Sequence, residues 1–227
     1  MSSSQTILIT GANRGIGHGI ASALLQKPST TIIAAVRDPS KESSVALAKL
    51  PKGDGSHMAV ESDPAAAVET LHSGTSVLQT SSSAISDHIA INTTGPIILL
   101  QATTPLLKVG NNPSFIDISS MGSIGVMEHL AGIPAIMSPY GGSKGALNWF
   151  LRRVHFEEPW LTTFVVHPGL VLTDMTKVMF ENLQVNPKAF GAISVEQSVN
   201  GLMERVAAAK RDISGTFQNY DGTPLPW

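Results

Sequence analysis

The 227 residues contain no cysteine. Disulfide stapling and thiol chemistry are therefore excluded, and the composition fits a reduced, cytoplasmic setting. Charge is also scarce: only 14% of residues are charged and the net charge is −2. With no basic stripe, nucleic acid is not an expected partner. Long apolar runs are missing too. The longest, Ile97-Ile-Leu-Leu100, falls far short of the ~20 residues that cross a bilayer, so no membrane partner is expected. The start, Met1-Ser-Ser-Ser-Gln5, has neither a basic end nor a greasy run behind it, which argues against a signal peptide. Seven histidines are present, but none stands in a His-x-x-x-His or similar pair, so no metal site is expected.

What is present is enough for a core, since 42% of residues are apolar and the chain is long enough to bury one domain. The expectation is a single dinucleotide-binding domain over residues 1–227. Ile7-Leu-Ile9 reads as a buried strand that runs into Thr10-Gly11, and Ile16, Ile20, Ala23 and Leu24 then recur at helical spacing until Pro28. Further strands are expected at 31–36, 58–60, 114–119, 162–166 and 215–217. Helices are expected at 43–50, 65–71, 82–107, 140–156 and 195–209, the 82–107 helix being bent or divided at Gly95-Pro96. Strands that alternate with helices build a doubly wound parallel sheet of Rossmann type, with helices on both faces.

Thr10-Gly-Ala-Asn-Arg-Gly-Ile-Gly17 lies between the first strand and the first helix. Glycines there let the backbone approach a pyrophosphate, and a helix N-terminus offers free amides and a positive dipole end. The spacing is Gly-x-x-x-Gly-x-Gly, not the commoner Gly-x-Gly-x-x-Gly. After the second strand an acidic side chain favours NAD(H) and an arginine favours the 2′-phosphate of NADP(H). Arg37 and Asp38 both stand there. Arg14 adds a second cation, and Asp38 before Pro39 also suits a turn, so NADP(H) is preferred over NAD(H).

Tyr140-Gly-Gly-Ser-Lys144 places a phenol and an ammonium four residues apart, on one helical face. A free tyrosine titrates near ~10, too high for proton transfer at neutral pH, and a nearby cation favours the phenolate. Such a tyrosine can protonate a carbonyl oxygen or deprotonate an alcohol. His167, before Pro168, reads as a packed strand-end residue and not as a base.

The glycine loop, Tyr140-x-x-x-Lys144 and His167-Pro-Gly-Leu-Val-Leu-Thr173, in that order, resemble the short-chain dehydrogenase/reductase family. Phe115-Ile-Asp-Ile-Ser-Ser120 resembles its serine-bearing strand and Asn92-Thr-Thr-Gly95 its helix asparagine. Closer still is the fungal norsolorinic acid ketoreductase-like branch. It shares the look of Tyr140-Gly-Gly-Ser-Lys-Gly-Ala-Leu-Asn148, His155-Phe-Glu157, Thr173-Asp-Met175 and the ending Gly215-Thr-Phe…Asp221-Gly…Trp227. The resemblance implies that Tyr140 is the acid/base and that Lys144 tunes it and holds the nicotinamide ribose. It makes Ser120 the donor to the substrate oxygen and Asn92 the anchor of a relay water. It assigns Gly11, Asn13, Arg14, Gly15, Ile16, Gly17, Arg37, Asp63, Asn92, Pro168, Gly169, Val171 and Thr173 to the cofactor, with Glu61 as the alternative to Asp63 for the acidic residue after the third strand. It also implies a small carbonyl or alcohol substrate, a polyketide-like one for this branch, and a homodimer or homotetramer. Rival readings keep the fold for non-redox cyclisation or isomerisation, or for a cofactor-binding scaffold.

Two departures stand out. The family has two residues between its Ser-Ser pair and the following Gly-Ser, and here only Met121 intervenes. Counting from the strand selects Ser120; counting back from Gly122-Ser123 selects Ser119. A loop deletes residues more easily than a central strand, which favours Ser120. The second departure is the fourth strand with its Asn-Ala-Gly turn. Only residues 72–81 could hold it, with Val77-Leu78 as their apolar content, so the strand is expected to be shortened or missing.

Overall fold

The computed structural model describes residues 4–62, 76–123, 138–184 and 186–227. The expected helix at 65–71 and the candidate Asp63 lie outside them. The chain divides into two compact units, residues 1–67 with 169–203 and residues 68–168 with 204–227.

The first unit holds a parallel sheet of order β1-β2-β3 (Gln5–Thr10, Thr30–Val36, His57–Ser62), in which Ile7 sits opposite Ile32 and Ile32 opposite Met58. β1 and β3 run one or two polar residues beyond the apolar runs expected at 7–9 and 58–60. Helix α1 (Gly15–Leu25) buries Ala21, Leu24 and Leu25 against Ile32, Ala34 and Val36, with Leu47 closing the cluster. The middle strand β2 is buried along most of its length, whereas β1 is half to fully exposed, Leu8 included. The segment expected as one helix over 43–50 forms a short α2 (Glu42–Val45) and a 3-10 turn (Ala46–Lys49). Helix α6 (Asp174–Leu183) and helix α7 (Val195–Ala207) follow later in the chain. Gly19 of α1 lies so close to Val199 of α7 that a side chain there would collide with it.

The second unit holds a parallel sheet of order β4-β5-β6 (Ser114–Ile118, Thr162–His167, Phe217–Asn219). The last strand starts two residues later than expected, because Gly215 takes a φ of 74° and turns the chain. The long helix expected over 82–107 is divided. It runs as α3 (Ser82–Ile89), a π turn (Ala90–Thr94) and α4 (Gly95–Lys108). Pro96 has no N–H to give to the carbonyl of Asn92 four residues earlier, which explains why regular α geometry fails there. Helix α5 (Ser138–Glu157) buries Lys144, Leu147, Asn148 and Leu151, and Leu147 and Leu151 form a core with Val165 and Phe217. Phe150, expected on the apolar stripe, is 43% exposed beside Trp149.

Among the described residues no strand stands between β3 and β4. Val77–Gln79 form a 3-10 turn, and Leu78 is 98% exposed. Val77-Leu78, the apolar pair of the segment expected to hold the fourth strand, is therefore not in a sheet, and residues 72–75 of that segment lie outside the described residues. No helix among the described residues is long and apolar enough to cross a membrane.

Candidate active site

The phosphate-loop candidates sit in the first unit. Gly11 closes β1, its N–H bonded to the Ala35 carbonyl at 2.9 Å. The loop then enters α1 at Gly15 with Arg14 as the N-cap residue, and no side chain caps that terminus. Free amides at a helix start suit an anion. Gly17 admits no side chain, because a methyl group there would strike the Gly11 carbonyl oxygen. The turn is thus as tight as a pyrophosphate cradle requires. Asn13 donates to Ser43 Oγ at 3.1 Å, Ile16 is half-buried and Arg14 is exposed.

The residues after β5 join this loop. A methyl group at Gly15 would stand 3.7 Å from Thr173 Cγ2, so two motifs far apart in sequence meet. Thr173 caps α6 in a reciprocal box with Thr176. Val171 is buried and bridges to Ile193, and Gly169 turns the chain with a φ of 86°. Leu172, Thr173, Asp174, Lys177, Phe180 and Pro187 line a cavity of about 580 Å³. Arg37 is exposed at the end of β2. Asp38 beside it is committed to a turn: its Oδ1 accepts from the Ser40 N–H at 2.9 Å and the Ser40 hydroxyl at 2.6 Å. Those two bonds hold its carboxyl below the ordinary carboxylate range.

The proton-transfer candidates sit in the second unit. Tyr140 and Lys144 lie one turn apart on α5; Tyr140 is half-buried and Lys144 is buried. The Lys144 ammonium donates to the Ile118 carbonyl at 2.6 Å, which leaves it two further protons. That contact was not legible in the sequence, where the ammonium had only the tyrosine and a ribose as partners. Asn92, in the π turn, donates to Ser143 Oγ at 3.0 Å, and Ser143 Oγ donates to the Tyr140 carbonyl at 2.7 Å. The asparagine is thereby tied to the first turn of the tyrosine helix. Pro168 follows directly on β5.

The two serines after β4 differ in what they have to give. Ser119 is fully buried and its hydroxyl donates to Asn148 Oδ1 at 2.5 Å. Ser120 Oγ accepts from the Gly122 N–H at 3.0 Å. A hydroxyl has one proton, and that of Ser120 is not committed to any described group. Asp117 shares the α5-facing side of β4 with Phe115 and Ser119. Dehydration pushes its carboxyl up, with Lys144 and the Ile118 N–H pulling the other way. An acid inside the apolar run Phe115-Ile-Asp-Ile118 was the sequence signal for this group.

A family model described as short chain dehydrogenase matches residues 65–184. The chain belongs to the short-chain dehydrogenase family. Norsolorinic acid ketoreductase nor1 of Dothistroma septosporum is 35% identical, with 98% of this chain and 92% of that protein covered. Short-chain dehydrogenase RED3 of Pyricularia oryzae is 32% identical over the whole of both chains. That alignment spans 256 positions against 227 residues here, so the relative carries residues with no counterpart in this chain. Among solved structures, the NADPH-bound carbonyl reductase from chicken fatty liver matches with a TM-score of 0.81 at 24% identity, covering 99% of each chain. It has the same fold.

Proposed function

We propose that this short-chain dehydrogenase is an NADP(H)-dependent ketoreductase or alcohol dehydrogenase that moves hydride between the nicotinamide and a ketone or secondary alcohol. The observation that carries the reading is the end of β4. There the Lys144 ammonium is fixed on the Ile118 carbonyl, and two residues later Ser120 has a hydroxyl proton to give. A phenol, an ammonium and a free hydroxyl on adjoining elements are what a carbonyl oxygen needs as it becomes an alkoxide.

In the first unit Gly11, Asn13, Arg14, Gly15, Ile16 and Gly17 would hold the pyrophosphate, and Arg37 the 2′-phosphate. Asp38 is engaged by Ser40 and so unsuited to a ribose 2′-hydroxyl, which favours NADP(H) over NAD(H). Gly169, Val171 and Thr173, after Pro168, would seat the carboxamide end. When bound, the nicotinamide supplies or accepts the hydride. In reduction the Ser120 hydroxyl donates a hydrogen bond to the substrate oxygen, and Tyr140 gives its proton to the same oxygen. Lys144, through its remaining protons, stabilises the phenolate left behind and holds the nicotinamide ribose. Asn92, tied through Ser143 to the Tyr140 carbonyl, keeps the π turn in place beside the first turn of α5 and anchors the water that returns the proton. Polyketide-like or other secondary-metabolite ketones are the proposed substrates, in keeping with the ketoreductase that shares 35% identity. The whole chain would serve as one oxidoreductase domain in the cytoplasm, as a homodimer or homotetramer.

The test is loss of NADPH absorbance with polyketide-like ketones, together with product analysis with and without NADPH. Alcohol formed only with NADPH supports the reading. Product formed without it would replace the reading with non-redox chemistry.

A further inference from the structure

The turn after β4 is the place where this chain is one residue shorter than its family, yet it must present Ser120 in register. The ladder continues one residue beyond the strand, with the Ser119 N–H on the Val166 carbonyl at 2.8 Å. The chain then reverses, and the Ser123 N–H closes the turn on the Ser120 carbonyl at 3.1 Å. Three contacts grip the turn from outside. Asn148 of α5 accepts from the Ser119 hydroxyl at 2.5 Å and donates to Ser123 Oγ at 3.1 Å, so one amide spans both ends. Ser119, Ser123 and Asn148 are all at most 4% exposed. From β5, His167 Nδ1 accepts the Met121 N–H at 3.3 Å. Gly141 faces the Gly122 carbonyl oxygen so closely that no side chain could stand between them. The residue after Tyr140 therefore rests on the turn that carries Ser120.

We propose that Asn148 and His167 are positioning residues which clamp the 119–123 turn and make Ser120, not Ser119, the hydroxyl offered to the substrate oxygen. Asn148 takes up the Ser119 proton and pins Ser123. His167 takes the Met121 amide, two residues after the Ser119 N–H that bonds the Val166 carbonyl of the same strand. It can accept only while Nδ1 is unprotonated, and burial holds its pKa down at about 4. In the sequence His167 reads as a packed strand-end residue; its bond to the residue next to Ser120 gives it this second duty. Proton donation to an alkoxide is sensitive to placement, and an error of ~1 Å can cost ~100-fold.

This inference rests on the ketoreductase reading, and the experiment separates the two. In the full chain, Asn148→Leu, Asn148→Asp, His167→Leu and His167→Gln are compared with Ser119→Ala and Ser120→Ala. Asn148→Leu and His167→Leu are expected to lower kcat by about 10- to 100-fold, with KM for the ketone and NADPH affinity within about 2-fold. His167→Gln, whose side-chain carbonyl can accept the Met121 N–H, should restore most of the loss. Asn148→Asp keeps the acceptor for Ser119 and should fall between wild type and Asn148→Leu. Ser120→Ala should cost at least about 10-fold more than Ser119→Ala. Unchanged kcat in the folded leucine variants, equal cost of the two serine variants, or kcat and NADPH affinity falling together would each overturn the clamp. Amide hydrogen exchange decides it without turnover. The Met121 amide should exchange slowly in the wild type and at least about 10-fold faster in His167→Leu; equal rates sink the proposal. If the wild type reduces no ketone, the ketoreductase reading falls, and the exchange rates still judge the clamp.

Discussion

The two units offer opposite kinds of surface. Around the glycine loop, Gly11 and Arg14 are exposed and the helix start is uncapped, so the binding groups are backbone amides open to solvent. At the end of β4, Ser119, Ser123, Ser143, Lys144 and Asn148 are all buried, and side chains hold one another by hydrogen bonds. The contrast fits the proposed roles. A large anion that enters and leaves would use peptide amides fixed by the helix itself. A proton passed over a fraction of an ångström would need donor side chains locked by neighbours. The sheets show a second contrast. Middle strands β2 and β5 are buried, while the edge strands β1, β3 and β4 are half-exposed or exposed; the short edge strand β6 is the exception, with Phe217 and Gln218 buried.

If this division holds, damage in the second unit should strike turnover and spare binding. Tyr140→Phe removes only the phenolic proton. Stopped-flow and steady-state assays should show kcat lower by at least ~100-fold, with NADPH titration nearly unchanged. Near-normal turnover would remove Tyr140 from its role.

The second unit should also be the acid-sensitive one. His167 has a folded pKa of about 4 against an ordinary 6.5, lowered by burial. A depressed histidine favours the neutral form, so its contribution is complete above pH 6.5. It is lost as pH falls from 6.5 towards 4, and amounts to on the order of 3 kcal/mol. Urea melts at pH 7 and pH 4.5 should therefore differ, and His167→Gln should narrow the difference.

Binding energy from the first unit should appear as stability. Among the described residues β1 and β4 each pair with a single strand, and backbone groups buried without partners cost ~1–3 kcal/mol each, so the free chain should melt at a low temperature. NADPH at ~100 times its Kd adds about 2.7 kcal/mol, or roughly 5–10 °C. A cooperative melt at an ordinary mesophilic temperature without cofactor would show that the short 72–81 segment suffices.

The smallest effect is the most selective. Arg37→Ala should weaken NADPH by about 1.5–3 kcal/mol, the value of a charge-assisted contact, and leave NADH almost untouched. Equal weakening of both cofactors would reverse the preference for NADP(H).

Most of the order of strands and helices, the glycine loop between β1 and α1 and the one-turn spacing of Tyr140 and Lys144 were legible in the residues, whereas helix α6 was not. The legible features are set by local matters: apolar period, turn chemistry and helical spacing act within a few residues. Pro96 even marked where the long helix would break. The choice between Ser119 and Ser120 could be argued by counting but not decided that way, since both are serines in one strand-end pair. Tertiary structure separates them, because Asn148, twenty-nine residues from Ser119 in sequence, takes the proton of one and not the other. The same holds for Lys144 on the Ile118 carbonyl, for Thr173 beside Gly15 and for His167 on Met121. A side chain's partner across elements depends on packing distance and burial, and neither is written in the spacing of residues along the chain.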